Sequence, residues 1–300
     1  MRLSRVCLYF VASCFVLVSL TASGQVINIT IAPTSTQPST TTGVTRTRAA
    51  DNKATTGSFT TIFGGESLTP KHRNPNVNYA PDPGKERFVV YVPENYTGAT
   101  PFGLVVFIAP GNVAEVPLAW KSVLQARNLM FIASQDSGNE LQRSWRMGLA
   151  VLGAQEMMKH YRIDPSRVYA SGFSGGARIA GKLGFFQPDL FRGTIQSGGA
   201  DFYRPVAKVY ATSSIDTMGN PYGIFLATTA EAEAARRVRF VLITGSDDFR
   251  RGNIRDIFNG GFAKSGIQSK LIDVPGLGHE ICDGQTFSAA LDFIEGAGRH

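Results

Sequence analysis

The pentapeptide Gly172-Phe173-Ser174-Gly175-Gly176 fits the pattern G-x-S-x-G, which offers a serine hydroxyl as a nucleophile. Such a hydroxyl attacks a carbonyl when an imidazole takes its proton and a carboxylate fixes the imidazole's tautomer. Of the four histidines, His72 lies in an irregular Gly-, Pro- and Asn-rich stretch, His160 ends a helical pattern beside Lys159, and His300 is the last residue. His279 alone follows a strand-like run, in the loop Pro275-Gly276-Leu277-Gly278-His279-Glu280. The acid is Asp247 or Asp248, in Gly245-Ser246-Asp247-Asp248-Phe249, with capping of the next helix as a competing use for either. Taken alone the serine pattern is weak, since a Gly-rich strand–helix turn with a capping serine would read the same way.

The elements around these residues decide between the readings. Apolar, β-branched runs occur at 88–92, 104–109, 130–133, 168–170, 193–196, 240–244 and 269–274. They are near-continuous, as in strands buried on both faces of a parallel sheet. Helical patterns separate them at 118–127, 145–160, 177–186, 229–238, 254–264 and 285–296, so the expected fold is α/β, with helices on both faces of a mostly parallel sheet. In such sheets ligands bind beyond the carboxyl ends of the strands, where Ser174, Asp247/Asp248 and His279 all fall. A serine between strand and helix is forced into a strained backbone conformation, and a Cβ at Gly172 or Gly176 would collide with the neighbouring strand or helix. The helix after it aims the Gly175 N–H at an oxyanion beside Ser174. The chain order serine, acid, histidine is that of α/β-hydrolases.

On these residues the stretch from about Glu86 to Ile294 resembles secreted α/β-hydrolase esterases of the feruloyl esterase and polyhydroxybutyrate depolymerase type. The resemblance rests on Ile163-Asp164-Pro165-Ser166-Arg167-Val168-Tyr169 leading into Gly172–Gly176, on Thr244-Gly245-Ser246-Asp247-Asp248, and on Gly276-Leu277-Gly278-His279. It implies an acyl-enzyme on Ser174, with His279 as base and Asp248, the last position of the G-x-x-D turn, as acid. In these relatives a second oxyanion amide comes from an H-G-type loop. Here that loop reads Ala109-Pro110-Gly111-Asn112, without the histidine, so the amide of Gly111 or Asn112 takes that part. The motifs do not fix the substrate. A polyester depolymerase, peptidase or acyltransferase would use the same three residues, and a non-catalytic exported binding protein would keep the scaffold.

Residues 1–24 start with Arg2 and Arg5, run apolar from Val6 to Leu20 and end in small residues, which reads as a secretory signal peptide and a secreted or periplasmic protein. Val11-Ala12-Ser13-Cys14 resembles a lipoprotein box, but the apolar run continues past Cys14. No stable membrane span is expected after cleavage. Residues 25–61, rich in Thr, Ser and Pro, read as a solvated tether, and 62–300 as the hydrolase domain. The long connection 200–228, with Phe202, Tyr203, Tyr210, Tyr222 and Phe225, reads as a cap over the substrate pocket, with a decorative insertion as the alternative. Trp145, Phe173 and Tyr203 are expected to line that pocket, with Arg146 beside Trp145 at its entrance and packing of helix against sheet as the alternative for Trp145.

Composition narrows the remaining classes. Hydrophobic residues make up 43% and charged residues 18% of 300 residues, enough apolar content for a core. The net charge is +7, but the basic residues are scattered, so nucleic acid is not an expected partner and a small or polymeric ester is. Three cysteines build no disulfide framework, and the few histidines give no metal cage, so no cofactor or metal is expected. Cys282 reads as a buried thiol.

Overall fold

The computed structural model describes residues 55–64, 81–207, 209 and 222–296. The expected signal peptide, and the expected tether up to residue 54, lie outside the described residues. Eight strands form a single sheet: β1 (Gly57–Thr61), β2 (Phe88–Val92), β3 (Phe102–Ile108), β4 (Leu129–Ser134), β5 (Ile163–Phe173), β6 (Gly193–Ser197), β7 (Arg239–Gly245) and β8 (Ser269–Val274). Their order is β1-β2-β4-β3-β5-β6-β7-β8. β2 runs antiparallel to β1 and β4, and every other neighbouring pair is parallel. The helices are α1 (Lys121–Ala126), α2 (Arg143–His160), α3 (Gly175–Phe186), α4 (Thr229–Ala234), α5 (Arg251–Gly260) and α6 (Gly284–Glu295).

The strand patterns follow from burial on two sides. Every residue of β3 is buried. Leu104, Val106 and Ile108 enter one core with Val151 and Leu152 of α2 and Ile179 and Leu183 of α3. Val105 and Phe107 enter the opposite core with Leu124 of α1 and Phe287 and Leu291 of α6. Neither face meets water, so no polar alternation is needed. On the second face Trp120 stacks on Phe287 at 3.9 Å, with planes 1° apart, and its indole N–H donates to the Cys282 carbonyl at 2.8 Å. That bond ties the loop just beyond His279 to the strand–helix layer.

The last part of the stretch expected as a tether is a strand instead. Gly57–Thr61 pairs with β2 across five residues, from Gly57 opposite Val92 to Thr61 opposite Phe88. Thr-, Ser- and Gly-containing segments lack an apolar period, yet Thr suits an edge strand, and the free edge of β2 supplies the hydrogen bonds. Of the connection 200–228, residues 208 and 210–221, Tyr210 among them, lie outside the described residues. Its two described ends are anchored: Phe202 bridges to Ile224, and Phe202, Val206, Val209 and Phe225 pack with Phe185, Ile254 and Ile257 in a third apolar cluster.

Candidate active site

Ser174 sits where β5 turns into α3, with φ 53° and ψ −117°. A left-handed φ costs an L-residue on the order of 1–3 kcal/mol and persists because its surroundings enforce it. Here the Ser174 N–H donates to the Ser197 carbonyl of β6 at 2.8 Å, and the chain then enters the helix at once. The flanking glycines explain the tightness of the turn. A Cβ on Gly172 would overlap the Gly176 backbone, and one on Gly176 would overlap the Ile108 carbonyl of β3.

His279 arrives from the loop after β8, with its Nε2 2.9 Å from Ser174 Oγ and its Nδ1 2.9 Å from Asp248 Oδ1. Asp248, 4% exposed, follows β7. Its Oδ1 also accepts from the Arg250 backbone N–H at 2.8 Å, and its Oδ2 accepts from Thr244 Oγ1 at 3.1 Å. Three donors therefore hold one buried carboxylate, which satisfies it where water does not reach. Asp247 is exposed and accepts instead from Ser246 Oγ at 2.8 Å. Of the two acids left open by the loop sequence, Asp248 is the one beside the imidazole. Two rings flank His279, Phe173 at 5.0 Å and the exposed Phe249 at 4.4 Å.

A cavity of about 150 Å³ opens on Ser174, bordered by Asn139, Arg143, Arg146, Gly175, Arg178, Tyr222 and Arg250 among others. Gly111 and Asn112 are exposed and do not border it; the Asn112 Oδ1 accepts from the Gly138 N–H at 2.9 Å. Asn139 does border it. Its Oδ1 accepts from Arg146 Nη1 at 2.9 Å, and a Cβ on Gly175 would overlap the same Asn139 amide, its oxygen first. Arg146 is 3% exposed and also donates from Nε to the Ser137 carbonyl (2.8 Å) and from Nη2 to the Ala109 carbonyl (2.7 Å). Burial pushes its pKa down to about 10, which leaves it charged at neutral pH.

The expected lining residues fare unevenly. Trp145 does not border the cavity. Arg143 and Arg146, three apart on α2, face it, and Trp145 points about 100° away from its successor around the helix. Tyr203 is drawn aside by Phe202 and Phe185, whose rings lie at 4.6 and 5.2 Å. Phe173 touches the imidazole without bordering the cavity. The residues missed were Asn139, Arg143, Arg178, Phe249 and Arg250. A readable signal existed for one: Arg178 and Lys182 interrupt the otherwise apolar α3, a one-turn spacing of cations that requires a buried counter-charge. That charge is Asp201, whose Oδ1 takes Arg178 Nε at 2.7 Å and whose Oδ2 takes Lys182 Nζ. Cys282 is buried, and burial pushes its thiol up to about 12.

No family model matches the sequence, and no curated protein matches it. Solved structures do. The chain is similar to LpqC, a poly(3-hydroxybutyrate) depolymerase from Bordetella parapertussis, at 20% identity and TM-score 0.50 over 77% of this chain and 96% of that one. It is similar to the fluorophosphonate-binding serine hydrolase FphF of Staphylococcus aureus, at 14% identity and TM-score 0.51 over 70% and 92%. A third likeness is to the S-formylglutathione hydrolase FrmB of Staphylococcus aureus, at 13% identity and TM-score 0.50 over 70% and 92%. With an eight-stranded, mostly parallel sheet and helices on both of its faces, the chain has the α/β-hydrolase fold.

Proposed function

We propose that this protein is an exported serine hydrolase that cleaves carboxylic esters through an acyl-enzyme on Ser174. The observation that carries the reading is the unbroken hydrogen-bond chain from Ser174 Oγ through both ring nitrogens of His279 to Asp248, each link 2.9 Å. His279 Nε2 takes the serine proton as Oγ attacks the ester carbonyl, while Asp248 accepts from Nδ1–H and stabilises the imidazolium. The tetrahedral oxyanion rests on the Gly175 N–H at the start of α3. Asn139, which borders the cavity beside Gly175 and has its oxygen engaged by Arg146, is assigned as the second donor through Nδ2. The imidazolium then protonates the departing alcohol, and a water molecule activated by His279 releases the acid from Ser174.

Export rests on the first 24 residues, with their two arginines, apolar run and small-residue end. Amino-terminal sequencing of the exported chain tests it, and an intact Met1 would refute it. The chemistry is tested with a fluorophosphonate probe and a short p-nitrophenyl ester. Labelling should map to Ser174, and Ser174→Ala should abolish both labelling and turnover with little change in melting temperature. A probe-silent, ester-inert native protein would support a non-catalytic binding role. Asn139→Ala should lower kcat by roughly a hundredfold or more, since losing one oxyanion donor typically costs about 2.7–4 kcal/mol.

A further inference from the structure

The wall of the cavity beside Ser174 carries four arginines, Arg143, Arg146, Arg178 and Arg250, and no aspartate or glutamate among the described residues borders it. The carboxylate behind it, Asp201, is shared between Arg178 and Lys182, so it neutralises one of those two cations at most. The buried Arg146 donates to two backbone carbonyls and one side-chain amide oxygen, all neutral. Arg250 forms no ion pair among the described residues. Its guanidinium lies 4.6 Å from the centre of the Tyr222 ring, and Arg178 lies 4.1 Å from the same ring. Two guanidinium groups held against one aromatic ring form a preorganised fork for an anion, because stacking fixes their planes and leaves edge N–H groups directed outward. Like charges gathered in a concave site raise the local potential and are relieved when an anion enters.

An oxyanion alone does not account for so much charge, since it is met by two N–H donors at Gly175 and Asn139. We propose that the cavity recognises a carboxylate carried by the ester substrate, with Arg250 as the group that meets it. This deepens the esterase reading and rests on it. The cavity's size, about 150 Å³, suits a short acid better than the 300–1,000 Å³ typical of larger ligands. The carboxylate sits on the acyl part, as in a half-ester of a short dicarboxylic acid, or on the alcohol part, as in an acylated hydroxy acid.

The test pairs esters of equal size. 4-Nitrophenyl hydrogen glutarate against 4-nitrophenyl pentanoate reads the acyl side, and 4-acetoxybenzoate against 4-acetoxybenzamide reads the alcohol side. The native protein should favour the anion in one pair by roughly ten- to a hundredfold in kcat/KM, as expected for one charge-assisted hydrogen-bonded contact. Moving from 50 to 500 mM salt should shrink that preference. Arg250→Gln should cut the ratio at least fivefold, and Arg250→Lys should retain part of it as a point charge without the fork. If Arg250→Gln fails to fold, competitive inhibition of the native protein by free glutarate, weakened by salt, serves as the second readout. Turnover of the neutral esters with no anionic preference on either side overturns the inference and leaves the esterase reading standing. An unchanged ratio in Arg250→Gln overturns the role given to Arg250. Failure to cleave any of the four esters, with no fluorophosphonate labelling, refutes the esterase reading itself.

Discussion

Replacing Asp248 by Asn separates two things the carboxylate does for His279, charge and orientation, because of how its oxygens are partnered. The same oxygen, Oδ1, accepts from both His279 Nδ1 and the Arg250 backbone N–H, while Oδ2 meets Thr244 Oγ1. An amide in this slot has one oxygen and one NH2 group. Turning the NH2 group toward His279 would also set it against the Arg250 N–H, two donors face to face. The carbonyl therefore stays at the Oδ1 position and the NH2 group donates to the Thr244 hydroxyl, which rotates to accept. The imidazole keeps its Nδ1–H tautomer, and only the charge is lost. With charge centres about 4 Å apart and an effective dielectric near 20, the imidazolium loses about 4 kcal/mol of attraction, and the remaining neutral hydrogen bond returns about 1 kcal/mol. A net loss of about 3 kcal/mol lowers kcat roughly a hundredfold. That is well short of the ~10⁴-fold drop seen when such a replacement flips the tautomer. Asp247→Asn, at the exposed neighbour, should leave kcat within about twofold. The assay is saturating p-nitrophenyl acetate turnover at pH 8, with a melting curve on each variant. A 10⁴-fold loss in Asp248→Asn would mean the amide has flipped despite Arg250, and inactivation by Asp247→Asn would place the acid wrongly.

Three further outcomes follow from packing and burial. Gly176→Ala drives a methyl into the Ile108 carbonyl, a backbone atom that cannot rotate away, so urea unfolding should show a loss of about 3 kcal/mol or more; a loss under 1 kcal/mol would contradict the close approach of α3 to β3. The Cys282 thiol, raised by burial from 9.0 to about 12, should alkylate at pH 8 about a thousandfold more slowly than an ordinary thiol, read at that residue by mass spectrometry. The folded thiol keeps its proton up to about pH 12 while the unfolded one ionises near 9.0, so this group should lower stability as pH rises through that window. Glu295 accepts from Arg127 at 2.9 Å and Arg167 at 2.6 Å, fastening the end of α6 to the end of α1 and to β5. With all three side chains largely buried, Glu295→Ala should cost about 2 kcal/mol in urea unfolding, and an unchanged midpoint would mark the pairs as ornamental.

The strands and the three hydrogen-bonded side chains were readable because the sheet imposes regular demands on sequence. A strand buried on two faces must be apolar throughout, as 104–108 is, and a sharp strand–helix turn must have glycines where Gly172 and Gly176 stand. β1 escaped because an edge strand faces water on one side and borrows its register from β2, so Thr and Ser serve as well as Val. The cavity wall was harder to read for a different reason. Asn139, Arg143 and Arg250 lie on helix starts and loops, whose directions depend on where neighbouring elements pack, and no period marks them. Trp145 and Arg146 were both expected at the entrance, and a single helical step separates the arginine that borders the cavity from the tryptophan that does not.

The arginine wall and Asp248 act on His279 in opposite senses, and their arrangement resolves the conflict. Imidazolium forms in each half of the proposed reaction, and nearby guanidinium groups disfavour it. The developing oxyanion forms at the same moment beside Gly175, on the cavity side, where the same positive field stabilises it. On the far side of the ring, Asp248 sits 2.9 Å from Nδ1 with its charge held in place by Thr244 and the Arg250 backbone. Negative charge thus flanks the imidazolium on both sides in the transition state, while in the resting site only Asp248 does. The positive wall then favours the transition state over the resting enzyme. A neutral ester draws on that field through its oxyanion alone, whereas an ester with its own carboxylate also draws on it in the ground state. The expected signature is that added salt lowers kcat for both esters by a similar factor and raises KM only for the anionic one.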